Sequence, residues 1–286
     1  VRRGYRGVQP AQPSSPSELA ADMKVKPTEP ICDPEVPSGY NVIIGGDYYF
    51  NPVADVNRKQ RDKVDKWILA DANVKLKLPL GFSAQATVGW QDRQMQATYY
   101  TSAYHRSSVE NGRNGEGYHE FSKTIDLSFE PTINFDRVFN GSHAVNAVVG
   151  YSFFEQNSEN FHMTNYDFPV DGTGAWDMGA GQWLNEGQAE MDSYKYPRTR
   201  LIAFFGRLNY SYKSRYMVTT SFRHEGSSKF GKDHRWGNFW AVSGGWRISG
   251  EPWMKNLRWL DDLKFRVGYG VTGNNGFDAG QTAFRY

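Results

Sequence analysis

The stretch DLKFRVGYGVTGNN, residues 262–275, decides the fold class of this chain. Because the side chains of an extended chain alternate between two sides, its residues divide into two faces. One face is apolar and holds Leu263, Phe265, Val267, Tyr269 and Val271. The other face holds Lys264, Arg266, Gly268, Gly270 and Thr272. A strand of about ten residues with one unbroken apolar face fits a wall between an apolar medium and water.

The composition combines many aromatic residues with a polar average. Aromatic residues make up 15% of the 286 residues, glycines number 29, and the mean hydropathy is −0.67. No run approaches the roughly 18 apolar residues that a membrane-spanning helix needs, which excludes a helical membrane protein. The strands of a membrane barrel carry a much weaker hydropathy signal, so that class stays open.

Charge, cysteine content and motifs exclude further classes. The formal net charge is +2 and the cations are scattered, so we expect no nucleic-acid partner. Cys32 is the single cysteine and can form neither an internal disulfide nor a zinc site. Phosphate loops, nucleophile elbows and dinucleotide-binding glycine motifs are absent from the sequence, so we predict no enzymatic activity and no cofactor.

Seven further segments repeat the alternation of apolar and polar residues. The eight predicted strands are residues 70–78, 84–100, 121–130, 145–153, 198–212, 216–224, 240–248 and 262–272. They predict an all-β, antiparallel chain. Strands of soluble β-sandwiches are typically about five to six residues long, so these longer segments favour a barrel over a sandwich.

The connections between the predicted strands alternate between short and long. The long ones are residues 101–117, 158–197 and 225–235. This rhythm is typical of an outer-membrane barrel with tight periplasmic turns and extended extracellular loops. We expect a Pro-rich extracellular loop region at 1–60 with a short strand at 40–44, barrel strands and loops at 61–273, and a further extracellular loop starting at 274–286.

The last third of the chain resembles a known family. Residues 206–254 read GRLNYSYKSRYMVTTSFRHEGSSKFGKDHRWGNFWAVSGGWRISGEPWM, and LDDLKFRVGYGVTGNN follows at 260–275. Both closely resemble the barrel region of SusC/RagA-type TonB-dependent outer-membrane transporters of Bacteroidetes. The residues that match the family motif are Arg223, Glu225, Gly226, Ser227, Ser228, Phe230, Gly231, Arg235, Trp236, Gly237, Trp246, Gly270, Gly273 and Asn274. A weaker collinear match at 48–83 extends the resemblance over about residues 48–275.

The resemblance implies an antiparallel transmembrane barrel of 22 strands, of which this chain would supply about eight. It implies import of oligosaccharides or peptides across the bacterial outer membrane, powered by TonB. It also implies a SusD-like surface lipoprotein as lid and a lipid and lipopolysaccharide surround. Neither a plug domain nor a TonB box occurs in these residues, so TonB would act through a missing N-terminal region and this chain would be an internal piece of the barrel.

The longest predicted loop contains the best candidates for binding a solute. The stretch DFPVDGTGAWDMGAGQW, residues 167–183, combines aromatic faces with carboxylates, which suits carbohydrate rings or a peptide. The candidates are Phe168, Asp171, Trp176, Asp177 and Trp183. The alternative is a loop that packs on its neighbours or on the lipoprotein. A loop-bound calcium ion at Asp171, Thr173 and Asp177 would lack the EF-hand spacing.

Two other groups of polar residues admit structural explanations. Lys75, Lys77, Lys264 and Arg266 are expected to line the barrel lumen, where they could steer an anionic solute or contact the plug or water. RHEGSSKFGKDHRWG, residues 223–237, contains histidines and carboxylates but matches no zinc spacing, so we predict no metal site. Its glycines and serines suit a hairpin loop, with Arg223 and Glu225 pairing at the strand end.

Two alternatives remain open at this point. The chain could form a complete eight-stranded barrel that serves as an adhesin or structural surface protein, which would require strand 67–78 to pair with strand 262–272. It could also be a soluble glycan-binding β-sandwich. The identity of the solute and of the lid protein, the missing plug and strands, and the oligomeric state lie beyond the sequence.

Overall fold

The computed structural model describes residues 2–5, 32, 34, 39, 52–171, 174–254, 259–274 and 276. The predicted strand at 40–44 lies outside the described residues, as does most of 1–60 and of 274–286. Three α-helices are present in the described parts: α1 (Pro52–Asn57), α2 (Arg106–Glu110) and α3 (Gln182–Asn185). No helix in these ranges has the length and apolar content to cross a membrane.

Within these ranges, ten antiparallel strands form a single sheet. They are β1 (Arg2–Tyr5), β2 (Lys59–Lys77), β3 (Phe82–Thr101), β4 (Glu116–Phe139), β5 (His143–Tyr166), β6 (Glu190–Lys195), β7 (Thr199–Tyr212), β8 (Tyr216–Ser227), β9 (Trp236–Arg247) and β10 (Lys264–Gly270). The strand order is β1-β2-β3-β4-β5-β7-β8-β9-β10, and β6 also pairs with β5. All eight predicted strands are therefore present, and most of them are longer than predicted.

Strands β1 and β6 were missed because they lack an apolar face. β1 pairs with β2 within the range expected to be a Pro-rich loop. β5 continues to Tyr166 and β6 pairs with its last part, both inside the range expected to be a long loop. Backbone hydrogen bonds hold these segments to their neighbours, and such bonds leave no periodic signal in the sequence.

A β-bulge joins β6 to β7 along the edge of β5. Glu159 pairs with Lys195, and Gln156 pairs with Thr199. Two residues of β5 thus lie opposite residues 196–198 of the neighbouring segment, so one residue is extra. Pro197 occupies the bulge, where its missing N–H breaks no ladder hydrogen bond. The bulge shifts the alternation, so odd-numbered residues of β6 and even-numbered residues of β7 share one face.

The strand register collects the apolar side chains on one face of the sheet. One row across seven strands holds Leu76, Ala84, Ile133, Val149, Gly206, Phe222 and Trp240. On this face 57% of Val149 is exposed, as is 63% of Val267 in β10. In the described residues this face is not packed against a second sheet, which differs from the arrangement expected for the sandwich.

The opposite face of the sheet is polar. A row on it holds Lys75, Gln85, Thr132, Gly150, Phe205, Arg223 and Phe239. The eight-stranded closed barrel is wrong, because β2 pairs with β1 and β3 and not with β10. In the described residues the sheet is an open segment of wall with two chemically different faces.

Short turns close one end of the sheet. The turn between β2 and β3 includes Gly81, whose φ of +93° suits glycine. A Cβ there would lie 2.5 Å from the backbone oxygen of Asp136, so the neighbouring strand leaves no room for a side chain. The other end of the sheet carries the loops 102–115, 167–189 and 228–235.

Candidate ligand-binding loops and polar face

The loops 102–115 and 167–189 pack together over the ends of β3, β4 and β5, and we call them the loop cap. Phe168 is their central side chain and is only 1% exposed. Its ring meets that of Tyr100 edge-on at 5.7 Å between centroids, and Ala175 completes the buried cluster. A Cβ at Gly117 would lie 2.8 Å from the Phe168 ring, so glycine permits this close approach. Phe168 therefore stabilises the cap from inside.

Asp171 ties the second loop of the cap to the end of β3. Its carboxylate accepts hydrogen bonds from the Tyr100 hydroxyl at 2.6 Å, the Ser102 hydroxyl at 2.6 Å and the Ala103 N–H at 3.1 Å. These three donors engage both oxygens, so Asp171 has a structural task. In the ranges that the structure describes, no three His, Cys, Asp or Glu side chains gather as metal ligands, and Thr173 of the calcium hypothesis lies outside those ranges.

Asn165 and Asp167 organise the start of the long loop, and sequence reasoning missed both. Asn165 is fully buried; its amide donates to the backbone oxygens of Met178 at 2.7 Å and Gly181 at 3.0 Å. Asp167 has a φ of +59°, which Asp tolerates better than most residues. Its carboxylate accepts from the Asn114 N–H at 2.6 Å and from the Trp183 indole N–H at 2.7 Å. Only the turn-forming character of Asn and Asp signalled them in the sequence.

The two predicted tryptophans have different surroundings. Trp183 packs against Tyr166 at 4.5 Å between centroids, and the Arg113 guanidinium lies 3.9 Å above the Tyr166 ring. Trp176 is 72% exposed, and Asp177 beside it is exposed too. The five predicted residues thus do not form one surface: Trp176 and Asp177 are exposed, Asp171 is exposed but has its carboxylate engaged by three donors, and Phe168 is buried.

Helix α1 attaches to the first loop of the cap through a buried histidine. His105 caps α2 by accepting a hydrogen bond from the Ser107 N–H at 3.0 Å, and its other ring nitrogen bonds Asp55 of α1. Lys59 adds an ion pair to Asp55 at 3.3 Å. Burial by itself raises the pKa of Asp55, but the His105 hydrogen bond and the charges of His105 and Lys59 outweigh it and lower the pKa below 3.8.

The four predicted lumen residues all lie on the polar face. Lys75 and Lys77 belong to β2, and Lys264 and Arg266 to β10; all four are exposed. Arg266 stands in register with Gly245 and Met217 on the neighbouring strands. The polar face therefore presents cations at both margins of the described sheet.

The family-motif residues build the hairpin between β8 and β9. Arg223 and Glu225 form the predicted ion pair on the polar face. Ser228 accepts a hydrogen bond from the Arg200 N–H at 2.8 Å and donates to the Arg198 oxygen at 3.2 Å. His224 stacks on Trp236 on the apolar face, so His224 and Glu225 point to opposite sides of the sheet and cannot bind one metal ion.

A cavity of about 360 Å³ opens beside this hairpin on the polar face. Motif residues contribute much of its lining: Arg223, Glu225, Ser227, Phe230, Arg235, Trp236, Gly237, Gly273 and Asn274. The Phe239 ring lies across Gly273, where a Cβ would come within 2.4 Å of it. Gly226 and Gly270 are similarly crowded by Trp236 and Ala241, whereas Gly231 has open space around it.

Glu251 forms a clamp at the opposite end of the sheet. The buried Glu251 carboxylate accepts from the Tyr216 hydroxyl at 2.6 Å, the Trp246 indole N–H at 3.1 Å and the Arg215 guanidinium at 2.8 Å. The Tyr216 and Trp246 hydrogen bonds, aided by Arg215, lower the pKa of Glu251 below its usual range. The clamp joins the turn after β7 to the segment after β9.

Comparisons with known proteins agree with this architecture, although no family model matches the chain. TonB-dependent receptor P39 of Formosa agariphila is 29% identical over 201 residues, covering 70% of this chain and 19% of the receptor. TonB-dependent receptor SusC of Bacteroides thetaiotaomicron is 39% identical over 115 residues, covering 40% of this chain and 11% of SusC. This chain therefore spans about a fifth or less of the length of these relatives.

A solved structure provides the fold comparison. The RagAB peptide transporter superposes with a TM-score of 0.72 at 18% identity, over 84% of this chain and 26% of the RagAB chain. An open antiparallel sheet with one apolar and one polar face, matching part of that structure, is a segment of a transmembrane β-barrel wall. The chain is therefore similar to SusC/RagA-type TonB-dependent receptors in sequence and to part of their barrel in fold.

Proposed function

We propose that this chain forms part of the wall and outer loops of a transporter that imports a solute across the bacterial outer membrane, energised by TonB. The observation that carries the proposal is the apolar face, which continues through β2–β5 and β7–β10 opposite a polar face. Such a wall meets hydrocarbon outside and water inside, and every backbone group finds a partner on a neighbouring strand. The names of the relatives support energy-coupled import.

The loop cap is proposed to face the cell exterior and to meet the solute. The loops 102–115 and 167–189 at one end of the sheet, opposite the tight turns 78–81, 140–142 and 213–215, support this orientation. The assignment includes the expected extracellular ranges 101–117, 158–197 and 225–235, the Pro-rich range 1–60 and the range from 274 onward. Trp176 and Asp177 are the candidate contacts, because they are exposed, whereas Phe168, Asp171 and Trp183 hold the cap in shape.

The polar face is proposed to line the lumen. Lys75, Lys77, Lys264 and Arg266 would then meet water, the plug domain or an anionic solute. A SusD-like lipoprotein is the proposed lid over the outer loops. The solute class is an oligosaccharide or a peptide: an exposed tryptophan beside a carboxylate suits a sugar ring, and the RagAB likeness favours a peptide.

The test is uptake by cells that produce the full-length receptor carrying this segment. Fluorescent oligosaccharides and fluorescent peptides are offered separately, with and without active TonB. We expect TonB-dependent accumulation of one of the two classes. Accumulation of neither class, or accumulation that does not depend on TonB, would contradict the proposal.

The role of Trp176 is tested in the same cells. Loss of an aromatic contact worth about 0.5–1.5 kcal/mol predicts that Trp176→Ala weakens solute affinity about two- to tenfold. Trp253→Ala is the matched control, because Trp253 is also well exposed but follows β9 at the opposite end of the sheet. Unchanged affinity in Trp176→Ala would reject the contact and leave import itself untouched.

A further inference from the structure

Two arginines share one carboxylate on the apolar face of the sheet, where charged side chains begin to replace apolar ones toward the loop cap. Arg200 lies 2.6 Å and Arg198 lies 3.5 Å from the carboxylate of Glu155, measured from each Nε atom. Arg198 also donates to the Asn157 side chain at 2.9 Å. The arginine side chains are 50% and 55% exposed, whereas that of Glu155 is 15% exposed.

The guanidinium groups have donors to spare. Arg200 donates its Nε–H to Glu155 and Arg198 donates its Nε–H to Asn157, so the terminal nitrogens of both arginines remain available at the surface of the described chain. Two cations on one carboxylate leave one positive charge unbalanced. Across β4–β7 from this ion cluster to the loop cap, this face carries Lys123, Lys195, Arg198 and Arg200 against Glu155 and Glu159, four cations to two carboxylates, interspersed with Phe121 and Phe161.

The position of the Arg200–Glu155 ion pair along the strands indicates that it lies near the boundary between membrane and water. Glu155 follows Phe153 on the apolar face of β5, and Arg200 precedes Ile202 on the same face of β7. The register row of Arg200 and Glu155 continues to Trp90 of β3, and tryptophan is enriched where a bilayer meets water. A solute passing along the polar face does not reach this side of the wall.

We propose that Arg198 and Arg200 bind the phosphate of an anionic membrane lipid at the outer boundary of the apolar band. Paired guanidinium donors suit phosphate oxygens, and the adjoining apolar residues suit the acyl chains of the same molecule. The site rests on the proposed placement of the wall in a membrane and goes beyond transport. The bulge at 196–198 shifts the alternation of side chains, and this shift places Lys195 on the same face as both arginines of the proposed site.

The experiment titrates detergent-solubilised full-length receptor with phosphatidylglycerol and counts bound lipids by native mass spectrometry. One cation near a membrane surface contributes about 1 kcal/mol, so Arg200→Gln should weaken retention about fivefold. Arg207→Gln is the matched control: Arg207 lies on the polar face of the same strand and is exposed. It should leave retention unchanged.

Glu155→Gln separates a lipid site from a purely structural ion cluster. It removes the carboxylate and frees both guanidinium groups, so retention of phosphatidylglycerol should rise while Arg200→Gln makes it fall. Equal retention in all variants, or a fall in both Glu155→Gln and Arg200→Gln, would overturn the proposal. So would displacement of the lipid by millimolar inorganic phosphate, since free phosphate would then be the ligand. Solute uptake should be unaffected by Arg200→Gln, so failure here is distinguishable from failure of the transport proposal.

Discussion

Val148 and Val149 are adjacent valines of β5 on opposite faces of the sheet, and they offer a direct test of which face meets lipid. Val149 lies between Ile133 and Gly206 in its register row, on the apolar face. Val148 lies between Asn134 and Arg207 on the polar face. We predict that Val149→Arg destabilises the folded receptor in a bilayer and that Val148→Arg changes its stability little.

The magnitude follows from the position of Val149 in its strand. Apolar side chains flank it on the same face at Ala147 and Tyr151 and beyond, so it lies near the middle of the apolar band. An arginine at the bilayer midplane costs about 2–4 kcal/mol, or roughly thirtyfold to a thousandfold in the folding equilibrium. Val148→Arg places a cation opposite the exposed Arg207, which costs about 0.2–1 kcal/mol.

The assay follows urea unfolding of the full-length receptor in phosphatidylcholine vesicles, read by heat-modifiable electrophoretic mobility. The midpoint of Val149→Arg should shift clearly to lower urea, and that of Val148→Arg should stay near the parent value. Equal shifts of the urea midpoint in both variants would mean that the two faces meet the same environment. A larger shift for Val148→Arg would reverse the assignment of the two faces and refute the reasoning.

Two further predictions concern the loop cap. Phe168→Ala removes the buried ring at the centre of the cap, which costs about 3–5 kcal/mol of cap stability. Hydrogen exchange and proteolysis within 167–189 should therefore accelerate while the strands stay protected. Trp176→Ala removes an exposed ring and should not have this effect. The lowered pKa of Asp55 means that its ion pair stabilises α1 fully above the unfolded value of 3.8 and is lost as pH falls through the lower folded value. Proteolysis next to α1 should therefore increase in that acidic range. Asp55→Asn should abolish this pH-dependent increase. The same increase in the variant would show that the pH dependence does not come from the Asp55 ion pair.

The family motif and the strand pattern could be interpreted before the structure because both rest on local chemistry. Alternation in β10 depends only on neighbours two residues apart, and it predicted the faces of Phe265 and Lys264 correctly. The serines and glycines of the β8–β9 hairpin likewise signalled a turn. For Phe168 and Asp171 residue type alone was ambiguous, because an aromatic ring and a carboxylate suit a solute as well as a neighbouring loop.

Eight of the ten strands, the faces of their side chains and the resemblance to SusC/RagA-type receptors could be predicted from the sequence alone, because a period of two and a collinear motif are properties of consecutive residues. The tertiary structure was needed to show that β6 continues into β7 along β5 through a bulge at Pro197, and that Phe168 and Asp171 hold the loop cap together. These features depend on contacts between residues tens of positions apart. Polar strands solvated on both faces leave no periodic trace, and the burial of a loop residue depends on which distant loop covers it.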